Sequence, residues 1–253
     1  MKYLKQSILT VALISATSAQ ATMHDFDFNT DMTLGGDAYI NESHVPNGVI
    51  LTPNQKWQKG SAFTNMSFEN VGSFSAEFDI KMGWGSDADG LTFAWVTDPY
   101  ASTTDGGSLG FTGMTGYAVE FDTYRNSWDN GSDNHVAVIQ DSATNALIQE
   151  EVDFNLNNES YHHVEIEFNN GNISVEIDDK TYIDNFMIEN YQASDFYFGF
   201  TAATGGKTDW HKVSNFSLEV SPVPEPSTYA LMLGGLGMVG FMAFRRRKQQ
   251  GNA

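Results

Sequence analysis

A β sandwich of two antiparallel sheets packed face to face is the architecture that this chain of 253 residues predicts. Three observations carry that expectation: apolar residues recur with a period of two, the recurring runs are separated by Gly, Asn and Asp clusters, and the body holds no long amphipathic helix and no internal repeat. Phe74, Ala76, Phe78 and Ile80 alternate with Ser75, Glu77 and Asp79. Leu91, Phe93 and Trp95 follow the same rule, as do Val164, Ile166 and Phe168, then Ile173, Val175 and Ile177, then Phe216, Leu218 and Val220. Successive side chains of a strand point to opposite faces, so each run reads as a half-buried strand. Packing two such sheets together buries one side of every strand, and about 200 residues is an ordinary size for one such unit.

Composition narrows the function. Hydrophobic residues make up 41% of the chain, enough for one large core, and the absence of Cys excludes a disulfide framework, a zinc ribbon and thiol chemistry. Between positions 22 and 224 there are 7 basic and 31 acidic residues, a formal charge of −24. Such a body repels phosphate backbones, which argues against nucleic acid as a partner, and polyanions approach it only through cations.

Both ends read as sorting segments. Residues 1–21 carry Lys2 and Lys5, an apolar run from Ile8 to Ile14, and Ala19-Gln20-Ala21, the charge, apolar and small-residue order of a secretory signal. At the other end Val223-Pro224-Glu225-Pro226 precedes an uncharged run over 229–244, expected to form a helix, and then Arg245-Arg246-Arg247-Lys248. Sixteen residues span about 24 Å, short of the ~30 Å hydrocarbon core, and the basic cluster favours the cytoplasmic side. This tail resembles the PEP-CTERM sorting signal of Gram-negative bacteria. The resemblance implies processing by an exosortase near the Pro-Glu-Pro triplet, transient membrane contact through a transmembrane helix, and delivery to the cell surface or extracellular matrix; a plain membrane anchor is the alternative. The expected organisation is therefore a signal at 1–21, a sandwich domain at 22–221 and a sorting tail at 222–253.

Candidate chemistry concentrates between Glu120 and His135. On an extended strand Glu120 and Asp122 project from one face about 6.8 Å apart, and two carboxylates that close are costly unless cations neutralise them. Beyond Asp122, Asn126, Asp129 and the pair Asn130-Gly131 suit a loop that folds Asp129 and His135 back toward the strand. A hard cation such as calcium takes six to eight oxygens, several of which Asp122, Asn126, Asp129 and a backbone carbonyl can offer. Glu120, Asp122, Asp129 and His135 form a mixed oxygen and nitrogen set suited to manganese or a similar transition metal.

The spacing Glu-x-Asp-x-aromatic-x-Asn, then Trp-Asp, then His resembles the metal loop of the legume-type (L-type) lectins. That resemblance implies a concanavalin-like jelly-roll sandwich, with calcium held by Asp122, the Tyr124 main-chain oxygen, Asn126 and Asp129. It also implies a second metal, usually manganese, on Glu120, Asp122, Asp129 and His135. The chain departs from many plant members in having Asn130 where they have Pro, and a longer run to the histidine. Three further stretches are similar to the family's ligand loops: Asp87-Ala88-Asp89-Gly90, Gly106-Gly107-Ser108-Leu109-Gly110-Phe111, and Thr204-Gly205-Gly206-Lys207. They imply that Asp89, preceded by a cis peptide, and the Gly107 amide bind sugar hydroxyls, with Gly206 and Lys207 on the variable rim.

The chemistry of a sugar matches these groups. A pyranose presents paired hydroxyls and an apolar C–H face, so a site needs acceptors, donors and one flat ring. Asp89 accepts as a carboxylate, the Asn126 amide and Gly107 N–H donate, and Tyr124 or Trp128 offers the ring, the resemblance favouring Tyr124. Calcium bound to the Asn126 oxygen would leave its NH2 aimed outward. The expected function is calcium-dependent, non-catalytic binding of a glycan or exopolysaccharide, with a homodimer through sheet edges as a further possible partner. A glycoside hydrolase or lyase of related fold is the enzyme alternative, but Tyr124 and Arg125 stand where a second acidic catalyst would fall. A structural matrix protein without sugar binding is the third reading. His24, His44, His162 and His163 show no partners in sequence and read as surface or strand residues, and His211, just after the variable loop, reads either as packing or as lining the rim.

Overall fold

The computed structural model describes residues 23–99, 104–223 and 233–242, and the signal segment, the Pro-Glu-Pro triplet and the Arg-rich end lie outside them. The strands run, in chain order, β1 (His24–Asp25), β2 (Met32–Gly36), β3 (Gly48–Thr52), β4 (Lys59–Thr64), β5 (Val71–Gly83), β6 (Gly90–Val96) and β7 (Gly116–Asp122). They continue with β8 (His135–Gln140), β9 (Ala146–Glu151), β10 (His162–Asn169), β11 (Asn172–Ile177), β12 (Lys180–Met187), β13 (Tyr197–Ala203) and β14 (Trp210–Pro222). They form two seven-stranded sheets. The back sheet runs β1-β14-β5-β10-β11-β12, with β3 also on β14, and the front sheet runs β2-β4-β13-β6-β7-β8-β9. Every pairing is antiparallel, and neighbours distant in sequence, such as β13 beside β6, make this a jelly roll rather than a meander.

The alternating runs lie on strands as their period requires: Phe74 to Ile80 on β5, Val164 to Phe168 on β10, Ile173 to Ile177 on β11. Their apolar members face the opposite sheet and meet Leu91, Phe93 and Trp95 from β6 in one core. Aromatic rings dominate its centre. Phe93 stacks on Phe78 at 5.2 Å and lies 5.5 Å from Phe200 and 5.9 Å from Phe216. Such pairs add to the area that each ring buries.

In one respect β6 and β7 differ from half-buried strands: every residue of both is buried. The cause is a second, smaller core on the outer face of the front sheet, where Phe111 and Met114 pack over Ala94, Ala118, Ala137 and Ile139. Glu120 and Asp122 share that outer face with Ala118, so the loop covering that produces the small core also removes these two carboxylates from water.

One expectation needs correction, and one is extended. Residues 233–242 are helical, but ten residues rise only about 15 Å, and among the described residues no helix is long and apolar enough to cross a membrane. The transmembrane helix expected over 229–244 is thus not supported; 229–232 and 243–244 lie outside the described residues. His162 and His163, which lacked partners in sequence, have them in space. His162 is 5% exposed and its Nδ1 lies 2.6 Å from Asp178, while His163 Nδ1 lies 2.9 Å from Asp79. Strand pairing across 16 and 84 positions brings these groups together, a separation that local reading does not reach.

Truncating Phe93 to Ala should cost about 3–5 kcal/mol, because a rigid aromatic lattice cannot collapse into the space it leaves. Urea denaturation of wild type and variant measures this as a shift of midpoint at constant slope.

Candidate functional site

The register of the front sheet assembles the acidic cluster. β7 pairs with β8 so that Asp122 stands opposite His135, and with β6 so that Asp122 stands opposite Gly90. Glu120 lies two positions back on the same face, and its Oε1 is 3.3 Å from His135 Nε2. The loop after β7 turns at Asn130 and Gly131, both with positive φ, and returns Asp129 to the strand. Asp129 is fixed there from both ends: its carboxylate accepts the Asn126 N–H, and its carbonyl accepts Ser132 N–H at 2.9 Å and Gln149 Nε2 at 2.8 Å. One ligand atom each from Asp122, Asp129 and His135 falls within 4.8 Å of the others.

All four side chains are at most 3% exposed. Burial pushes the Asp122 carboxyl well above the usual carboxylate range, and the charge of Glu120 adds to the rise. Burial likewise raises Glu120, against a downward pull from its hydrogen bond to His135, and raises Asp129, against the Asn126 N–H. Three buried carboxylates beside one imidazole concentrate negative charge that a divalent ion would offset. The residues therefore fit a cation. The oxygen side fits better than the mixed side, because His135 Nδ1 is buried without an acceptor, whereas a metal-ligating ring is ordinarily fixed through its second nitrogen.

Asn126 differs from the expectation in orientation. Its Nδ2 faces the Tyr124 carbonyl at 3.3 Å instead of pointing outward. The two groups expected to offer oxygen to one ion are already neighbours, and a half-turn of the amide would set oxygen against oxygen, an arrangement that a shared cation stabilises.

The loops expected to contact ligand converge beside this cluster. The peptide between Ala88 and Asp89 is cis. Asp89 is clipped between strands: its N–H donates to the Ala203 carbonyl at 3.2 Å, and its own carbonyl accepts Thr123 N–H at 2.9 Å. Its side chain is 4% exposed and its Oδ2 has no hydrogen-bond partner. Burial pushes this carboxyl up to about 6, the Gly205 N–H pulls it down, and the charge of Asp105 raises it. A Cβ added at Gly107 would meet the Asn126 amide at 2.6 Å, and one at Gly205 would meet Asp89 Oδ2 at 3.2 Å, so bare backbone is what allows these loops to close on each other. Gly206 borders open space, and Lys207 Nζ lies 5.2 Å from the centre of the Tyr124 ring.

Asp89, Gly107, Asn126 and Gly205 are thus one cradle, with Lys207 and Tyr124 paired at its rim. Trp128 is 42% exposed. Gly205 and Asp105 were not singled out in sequence. Gly205 stood in plain view inside the Thr204-Gly205-Gly206-Lys207 stretch, but its N–H reaches Asp89 only through the pairing of β13 with β6.

Fold and cradle together define a jelly-roll domain of lectin type. The family model described as the legume lectin beta-barrel domain matches residues 23–217, and the chain belongs to that family. The PEP-CTERM protein-sorting motif matches residues 222–248. Comparison with curated proteins yields no match. Among solved structures, the lectin from Bauhinia forficata in complex with GalNAc is 18% identical, covering 81% of this chain and 100% of its own, at a TM-score of 0.67. The basic winged bean lectin with Tn-antigen is 21% identical over 80% and 99% of the two chains, at 0.66. The exoplasmic/lumenal domain of VIP36 in its Ca2+/Man-bound form is 17% identical over 77% and 85%, at 0.63. At these identities the likeness is one of fold.

The buried carboxylates set a pH dependence. A carboxyl raised on folding binds more protons in the folded than in the unfolded chain, so its contribution falls as pH rises from the ordinary carboxylate value through the folded one. Asp89, about 6, and Asp209, pushed by burial to about 7, both act in this sense, as do Glu120, Asp122 and Asp129. His211, fully buried and pushed down to about 3, acts oppositely below its ordinary 6.5, but it is one group against five. Metal-free protein should therefore melt at a higher temperature at pH 5 than at pH 7.5. Saturating calcium should erase or reverse that difference, as melting curves with and without chelator will register.

Proposed function

We propose that this protein is a calcium-dependent carbohydrate-binding protein, exported and held outside the cell, that binds glycans without acting on them. The observation that carries the reading is the unpartnered Oδ2 of Asp89, buried at the floor of a cradle whose other wall is braced by the carboxylate cluster. A buried acceptor without a donor is unfavourable, and a pair of adjacent sugar hydroxyls supplies the missing donors as charge-assisted bonds.

Asp122, the Tyr124 carbonyl, Asn126 and Asp129 would hold calcium, and Glu120, Asp122, Asp129 and His135 a transition metal such as manganese. Bound there, an ion would supply the positive charge that lets these carboxylates ionise together. The work on the sugar then falls to the chain. Asp89 accepts from two hydroxyls, the Gly107 N–H and the Asn126 amide donate, and Tyr124 offers its ring once Lys207 moves aside or bonds to the ligand itself. Gly206 leaves the rim open. A shallow site of this type holds one sugar weakly, at about −4 kcal/mol for a millimolar Kd, and many copies on one surface multiply the strength.

The non-catalytic reading is supported by the same burial. Glu120 and Asp122, the pair that a hydrolase would use, are each 2% exposed, and Glu120 is occupied with His135. The sorting motif supports export, exosortase processing near positions 224–226 and residence at the surface or in the matrix of a Gram-negative bacterium. We assign the sandwich to 22–221 and the tail to 222–253.

Glycan arrays probed with residues 22–223 test this. Retention should require calcium and disappear with EDTA. Asp89→Asn should lower retention at least tenfold without lowering the melting temperature, since it removes a buried carboxylate, while Asn126→Ala should lose both retention and the calcium response. An unaltered glycan profile after complete metal stripping would refute the calcium dependence, and release of reducing ends from bound polysaccharide would restore the enzyme reading.

A further inference from the structure

Trp57 lies in the connection between β3 and β4, outside every stretch that the sequence associated with ligand. It is 61% exposed, the most exposed aromatic side chain among the described residues of the sandwich. Its φ is +61°, a left-handed conformation that a bulky residue rarely adopts and that surrounding contacts must enforce. Several of those contacts come from the Thr204-Gly205 turn beside the cradle. Trp57 N–H donates to the Gly205 carbonyl at 3.2 Å, and Thr204 N–H donates to the Gln58 carbonyl at 2.9 Å. The Thr204 hydroxyl accepts Gln58 N–H at 3.0 Å and donates to the Gln55 carbonyl at 2.6 Å. Gly205 in turn lies against the Asp89 carboxylate, a Cβ added there standing 3.2 Å from Oδ2. One glycine residue therefore separates the sugar-reading carboxylate from the tryptophan.

Of the other rings near the cradle, Trp84 and Tyr124 are already covered, while Trp128 stays 42% exposed. Lys81 and Lys212 cap Trp84 at 4.7 and 4.3 Å, and Lys207 caps Tyr124. Among the described residues no ring or ammonium packs on Trp57 in this way. An indole is a broad apolar plate, and the C–H face of a pyranose is the apolar surface that a glycan chain brings to such a cradle. A rigid loop that holds the plate beside a polar cradle, in a costly backbone conformation and against the tendency of tryptophan to be buried, has the form of a binding platform.

We infer that Trp57 forms a second subsite that stacks on the sugar adjoining the one held by Asp89, so that the protein reads a glycan chain rather than a single terminal residue. The inference rests on the sugar-binding reading above and adds to it a preference for oligosaccharides.

The mature calcium-loaded chain is tested on immobilised mannose, N-acetylgalactosamine and glucose, each beside a trisaccharide built from it. Wild type should hold its trisaccharide about tenfold more tightly than the monosaccharide. Trp57→Gly removes the ring but suits the positive φ, so it should melt at or above the wild-type temperature while the trisaccharide advantage disappears. Trp57→Phe should keep part of it. Asp89→Asn should lose mono- and trisaccharide alike. If Trp57→Gly keeps the full advantage while Asp89→Asn abolishes binding, the subsite is wrong and the cradle stands. If Asp89→Asn leaves both ligands bound, the cradle reading falls, and the subsite with it. Failure of wild type to retain any of these sugars overturns both.

Discussion

The organising constraint of this molecule is the concentration of negative charge on the outer face of one buried strand. Glu120 and Asp122 sit on β7 under a lid of loops, and Asp129 is folded back beside them with only His135 to balance three carboxylates. A charge distribution of this kind is unfavourable in an empty interior and favourable around a divalent cation. The segment that completes the cluster also carries Tyr124 and Asn126, and Asn126 packs against Gly107. What holds the carboxylates thus sets the cradle, and through Gly205 the cradle is tied to Asp89 and to the Trp57 loop.

The remaining structure serves this arrangement by being stiff. The aromatic core between the sheets fixes β6, β7 and β13, the three adjacent strands whose ends carry Asp89, the acidic loop and the Thr204-Gly205 turn. The small outer core around Phe111 seats the Gly106–Ser108 turn over the same face, and the Thr201 hydroxyl donates to the Leu109 carbonyl at 2.7 Å to secure it. Glycines occur where loops touch, at 107 and 205, because side chains there would hold the walls of the cradle apart.

Much of this was legible in the sequence because it is written locally. Period-two runs such as Phe74 to Ile80 depend only on neighbouring positions, and so does the close spacing of Glu120, Asp122, Asn126 and Asp129. What local pattern does not encode is what covers a strand or what a loop docks on. The double burial of β6 and β7 depends on Phe111 and Met114 arriving from a loop, and the His162–Asp178 and His163–Asp79 contacts depend on strand pairing. Trp57 gave no signal of its own, since an isolated tryptophan in a polar loop reads equally as core or surface. Only its hydrogen bond to Gly205, across 148 positions, places it beside the ligand loops.

The central claim is that the carboxylates of this loop belong to a divalent ion, and calorimetric titration of calcium into metal-stripped protein tests it most directly. The account predicts saturable heat at no less than one ion per chain, accompanied by proton release at pH 6 as raised carboxyls ionise, and loss of that site in Asp122→Asn. Absence of saturable binding, or an identical isotherm from the Asp122→Asn variant, would contradict it.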